Sequence, residues 1–164
     1  MTLAPISERA ICEIVRRLSR ISTSDGFETA AGQRVFRARA ALDRESLPAA
    51  VVWEDGEQVP NGSGASDAYD VTLTISVELH VLADQDDTGC QLGIAKADVK
   101  RAVLAKSKGA LGDADGKIGA ISYTGSRATP RQDGSQTESV TLTFAVAYRE
   151  GYGNPYSAQL EAQR

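Results

Sequence analysis

A single histidine, His80, stands two residues from Glu78 within an alternating segment, so both side chains share one face of a strand. Such a pair could exchange a proton near neutral pH. No nucleophile or third orienting group adjoins it in the sequence, and a solvated or interface histidine is the simpler reading. One histidine also makes a poor metal site. Asp84-Gln85-Asp86-Asp87-Thr88-Gly89 copies the first half of a calcium loop, but its twelfth position is Ala95, where a bidentate Glu is needed. It reads instead as an acidic turn whose carboxylates favour the N-terminus of the following helix. Gly62-Ser63-Gly64 lacks both the Lys-Ser/Thr ending of a phosphate loop and the third glycine of a dinucleotide fingerprint. Cys12 and Cys90 have no histidine at helical spacing, and two cysteines make neither a disulfide framework nor a zinc cluster. They read as small semi-buried residues. No G-x-S-x-G turn is present. The chain is therefore read as non-enzymatic, with no catalytic residue, cofactor or metal.

The 164 residues amount to about one domain, 41% hydrophobic and 24% charged. Eighteen Lys and Arg against 22 Asp and Glu leave a net charge of -4. That balance argues against a dedicated nucleic-acid binder. Arg16, Arg17, Arg20, Arg34, Arg37 and Arg39 concentrate positive charge early in the chain, and an acidic protein surface suits them better than phosphate. No apolar run is long enough to cross a bilayer, and the start of the chain lacks the pattern of a secretion signal.

These residues must be held by a small set of elements. Ile11, Ile14, Val15, Leu18 and Ile21 make one stripe at the helical period, with Ser7 as the expected cap. Glu8, Arg9, Glu13, Arg16, Arg17 and Arg20 lie off it and are expected in solvent. Short strands are expected around 35–39 and 49–53, the second ended by Glu54-Asp55-Gly56. The clearest strand covers 71–83, where Val71, Leu73, Ile75, Val77, Leu79 and Val81 alternate with polar residues. Val140, Leu142, Phe144, Val146 and Tyr148 repeat the pattern, and the two strands should pair. A second helix is expected over 88–106, with Leu92, Ala95, Val99, Ala102 and Val103 buried and Asp98 outside. Gly112 to Gly116 reads as a turn, and Ile118, Ile121 and Tyr123 as one more strand. The architecture this suggests is α+β, with two helices packed on one face of a mostly antiparallel sheet containing two long strands. Residues 1–150 form the domain and 151–164 an extended or mobile tail. A 13-residue strand spans roughly 40 Å, so such strands reach the domain edge and offer unpaired backbone groups to a neighbour.

This order of elements resembles the tail terminator, or tail completion, proteins of long-tailed bacteriophages, the minor-tail-protein-U-like family. The resemblance rests on several segments: the amphipathic first helix with Ser24-Asp25-Gly26 after it, Leu47-Pro48 leading into Ala49 to Trp53, and the alternating strand from Val71. The helix Ala97-Asp98-Val99-Lys100-Arg101-Ala102-Val103-Leu104 and the closing Phe144-Ala145-Val146-Ala147-Tyr148-Arg149 complete it. It implies a structural virion protein, assembled in the bacterial host cytoplasm and located at the head-proximal end of the tail. There a homohexameric ring caps the tail tube, stops its polymerisation and meets a neck or head-completion protein. DNA passes through without specific binding, and no membrane is involved. Other readings are a different head–tail joining or tail-completion subunit, or, in another class, a small α+β ligand-binding or enzymatic domain centred on His80 and Glu78. Interface residues are expected in three exposed segments: Gly62, Ser63, Gly64 and Ser66; Arg127, Arg131, Gln132 and Asp133; and Tyr152, Asn154 and Tyr156.

Overall fold

The computed structural model describes residues 4–60, 67–83, 90–104, 109–113, 116–130 and 137–156. The first helix, α1, is Ile6–Leu18. Its buried stripe includes Ile6, Ala10, Ile11, Ile14 and Leu18. Pro5 occupies the cap position and no side chain caps the helix, so Ser7 does not play the part expected of it. The chain then turns back tightly, and the Gly32 N–H donates to the Ile21 carbonyl at 3.0 Å. A Cβ at Gly32 would lie 2.2 Å from the Leu18 carbonyl oxygen, so only glycine permits this approach.

Among the described residues six strands follow, with a second α-helix between them. They are β1 (Val35–Arg37), β2 (Ala49–Gln58), β3 (Ala68–Leu82), α2 (Cys90–Leu104), β4 (Ala110–Asp113), β5 (Gly116–Ala128) and β6 (Thr137–Gly151). The sheet order is β1-β2-β3-β6-β5-β4, with β1 parallel to β2 and the remaining pairs antiparallel. β3 and β6 pair from Ala68↔Gly151 to Leu82↔Thr137. β2 does not stop at Glu54-Asp55-Gly56: a bulge between Glu54 and Gly56 carries the strand on to Gln58. The expected turn after Gly112 is preceded by a strand, β4, which ends at Asp113.

The expected architecture, two helices on one face of a mostly antiparallel sheet with two long strands, is corrected by this structure. Strand accounts for 47% of the described residues and helix for 29%, and the six strands form one curled half-barrel sheet that carries the two helices. The curl shows in what α1 touches. It packs on β1 and β2 at one end of the strand order and on β4 and β5 at the other. A flat layer could not bring both ends to one helix.

The concave side holds the core. Val71, Leu73, Ile75, Val77 and Leu79 face it from β3, and Val140, Leu142, Phe144, Val146 and Tyr148 from β6. Two groups expected in solvent are instead buried. Glu13 is 2% exposed and Asp98 is 3% exposed. Asp98 Oδ2 accepts from the Glu28 N–H (3.0 Å), the Thr29 N–H (2.8 Å) and the Thr29 hydroxyl (2.9 Å). It thus anchors the loop after α1 to α2, and Arg101 adds to the anchor by stacking on Phe27 and donating to the Gly26 carbonyl. Glu13 accepts from Arg16 Nε at 2.6 Å and Arg17 Nε at 2.8 Å. Arg17 reaches on to the Val103 carbonyl at 2.6 Å. Burial would raise the Glu13 pKa, but the hydrogen bonds and charges of the two arginines outweigh it, and the net direction is down.

Candidate functional site

Among the described residues, the large hydrophobic side chains that remain exposed gather at one end of the sheet. Val59, directly after β2, is 53% exposed, Tyr152 is 74% and Tyr156 is 44%. Gln58 pairs with Thr72 near the start of β3, and the start of β3 pairs with the end of β6. That register brings Val59, Tyr69 and Tyr152 to a common pole.

The segment after β6 is folded against this pole. The Tyr152 N–H donates to the Asp67 carbonyl at 2.8 Å, and the Asn154 N–H to the Gly151 carbonyl at 2.9 Å. Gly153 takes a φ of 71°, which suits glycine and closes the turn. The Tyr156 N–H donates to Asn154 Oδ1 at 3.2 Å, and the Ile6 N–H to the Pro155 carbonyl at 2.9 Å, tying the turn to the start of α1. Tyr152 meets Tyr69 edge to face, with ring centroids 5.6 Å apart. Within the 151–164 segment, residues 151–156 therefore present their aromatic rings on a hydrogen-bonded turn.

Two tyrosine–glutamate pairs lie beneath. The Tyr69 hydroxyl donates to Glu150 Oε1 at 2.6 Å, and this bond chiefly pushes its pKa up to about 12. The Tyr148 hydroxyl donates to Glu57 Oε1 at 2.6 Å, and burial together with that bond raises its pKa strongly. Both phenols stay protonated at ordinary pH, so they act here as fixed donors.

Of the expected interface residues, the structure brings Tyr152, Asn154 and Tyr156 together at this pole. Arg127 is exposed on β5 opposite Thr141, roughly 33 Å along β6 from Gly151 at the usual strand rise. It belongs to a different region of the surface. Gly62, Ser63, Gly64, Ser66, Arg131, Gln132 and Asp133 lie outside the described residues, as does the acidic stretch 84–89.

His80 and Glu78 do meet, Nε2 to Oε1 at 3.4 Å, on the convex side of the sheet. The register also sets Ser139 directly across from His80, a neighbour that one strand read alone could not reveal. No hydrogen bond joins Ser139 to His80, so the three groups do not form a relay. Cys12 and Cys90 are exposed, not semi-buried, and Cys12 Sγ sits 3.4 Å from Glu8 Oε1. Partial burial and that carboxylate raise the Cys12 pKa, opposite to what a reactive thiolate needs. Among the described residues no group of three or more His, Cys, Asp or Glu is placed to hold a metal, and no helix is long and apolar enough to cross a membrane. The aromatic pole was only partly legible. Tyr152 and Tyr156 stood out by type, whereas Val59 and Tyr69 join them only through strand register. No family model matches the chain, and no curated protein matches it.

Proposed function

We propose that this chain is a structural subunit of the tail terminator type. Copies of it assemble into a ring, in the family's manner a hexamer, at the head-proximal end of a phage tail tube. The ring stops tube growth and offers its other face to a neck or head-completion protein, while DNA passes through without specific binding. The reading starts from the order of elements and their motifs. The observation that carries it is the aromatic pole. Tyr152 and Tyr156 are exposed on a hydrogen-bonded turn, with Val59 exposed just after β2, and aromatic rings held on a fixed turn beside an apolar side chain are the composition of a protein-binding surface.

The test is tube growth with purified proteins. The cognate tail-tube protein is polymerised with and without this chain, and tube lengths are read by electron microscopy. Short tubes ending in a ring of added density support the reading. Tubes of unchanged length with no added density overturn it. A protein that binds the neck component and not the tube would instead point to another head–tail joining subunit.

A further inference from the structure

Besides the outer edges of the terminal strands β1 and β4, two stretches of inner strand have no strand partner on one side among the described residues. β1 pairs with β2 only over Val35↔Ala50 to Arg37↔Val52, and the Ala38 N–H reaches the Val52 carbonyl. Residues 53–58 of β2 extend beyond it. On the other side, β4 pairs with β5 only as far as Ala120, and the Ile121 N–H reaches the Gly109 carbonyl. Residues 122–128 of β5 extend beyond that. We infer that the 53–58 edge of one copy pairs with the 122–128 edge of the next, continuing the sheet from subunit to subunit.

Direction, length and charge all fit. β2, β3, β6 and β5 are successively antiparallel, so β2 and β5 run in opposite senses. When a second copy is placed beside the first with its strands in the same sense, β5 of one meets β2 of the next as an antiparallel pair. The two free stretches are of similar length. Glu54, Asp55 and Glu57 stand on the β2 edge and Arg127 on the β5 edge. Pairing β2 with its own copy would set acidic residues beside each other, whereas pairing it with β5 puts Asp55 on the same convex face as Arg127, with Glu54 and Glu57 on the concave face. A head-to-tail contact of this kind generates a ring whenever the rotation closes.

This inference rests on the ring reading above, and its test separates the two. Directly after β5 the Thr129 N–H points inward, to the Ser139 carbonyl, so by alternation back along the strand the Ser126 N–H points outward. Ser126→Pro removes that donor at a position where an edge strand tolerates proline. Ser126→Ala keeps it. Ring formation is measured by light scattering, and backbone exchange by hydrogen–deuterium mass spectrometry, on the full chain. Ser126→Pro should weaken ring assembly about tenfold or more, as expected for a lost backbone bond and the distortion around it, while Ser126→Ala assembles like the wild type. In the wild-type ring, both 53–58 and 122–128 should exchange about tenfold more slowly than in the monomer. Rings in which both stretches exchange at the monomer rate, or undiminished assembly of Ser126→Pro, overturn the pairing and leave the ring standing. A chain that never assembles overturns both. The exchange measurement decides the matter should the proline variant fail to fold.

Discussion

Glu8 and Arg9, neighbours on α1, are tied to opposite ends of the strand order. Glu8 accepts from Arg37 on β1, with Nη2 to Oε2 at 2.7 Å. Arg9 grips Asp113 on β4 with two parallel bonds, Nε to Oδ2 at 2.8 Å and Nη2 to Oδ1 at 2.7 Å. The helix therefore acts as a crosspiece that holds the half-barrel at its curvature. Its apolar stripe faces the sheet, and its two polar clasps reach the edge strands.

The Arg9 clasp should contribute measurably, because its geometry is bidentate and both groups are mostly buried, at 16% and 21% side-chain exposure. A double-mutant cycle with Arg9→Ala and Asp113→Ala is expected to give a coupling of about 1 kcal/mol in urea unfolding. Glu8 and Arg37 are more exposed, and their cycle should give less.

Acid should loosen α1. The Glu8 pKa is lowered, chiefly by the hydrogen bond from Arg37. That of Glu13 is also lowered on balance, its arginine partners overcoming the cost of burial. A carboxyl whose folded pKa lies below its unfolded value stabilises the fold fully above the unfolded value. That stability is lost as pH falls through the folded value. Stability should hold above about pH 5 and decline below about 4.5, near the ordinary Glu pKa. Glu13→Ala leaves Arg17 with its main charge partner gone and should cost about 3 kcal/mol at neutral pH. It should also flatten the acid limb of a plot of urea midpoint against pH.

Two glycine substitutions should move stability in opposite directions. At Gly32 a Cβ meets backbone of Leu18 and Ile21 at 2.2 to 2.7 Å, so Gly32→Ala should cost about 3 kcal/mol or prevent folding. Gly93 lies within α2 with open space around its Cβ position, so Gly93→Ala should stabilise by about 0.5–1 kcal/mol. Thermal melts of both variants check this, since 1 kcal/mol corresponds to about 2–4 °C in a chain of this size.

The aromatic pole can be tested apart from the fold. Tyr152→Ser and Tyr156→Ser remove exposed rings, so melting should stay within about 2 °C of the wild type. Binding to the cognate tube protein should fall by about tenfold or more for the pair, as for exposed aromatic anchors elsewhere. Surface plasmon resonance reads the second effect and calorimetry the first.

Periodicity located the main elements. The stripe from Ile11 to Leu18 and the alternation from Val71 and from Val140 each show which side of an element is buried. They do not show how the elements curve. Curvature came from bulges at Glu54/Gly56 and Tyr123/Gly125 and from a helix clasped at both edges, and none of these is a periodic signal. Charged residues are usually solvated, and that is the expectation Glu13 and Asp98 carry from their position on the helix. Asp98 is buried by a contact far along the chain, and Glu13 by neighbours on its own helix, one of which is pinned from α2. Asp98 meets the backbone of residues 28 and 29, and the Arg17 that covers Glu13 is itself fixed to the Val103 carbonyl. The pole was half legible for the same reason: residue type marked its tyrosines, and register supplied Val59 and Tyr69.

On the proposed function, this chain works by assembling with copies of itself and with a tube. Native mass spectrometry of the full chain over a range of concentrations, alone and with the cognate tube protein, tests that most directly. A single closed stoichiometry, the hexamer, alone or on the tube end, is the expected result. A monomer at every concentration, with no complex on addition of the tube protein, would contradict it.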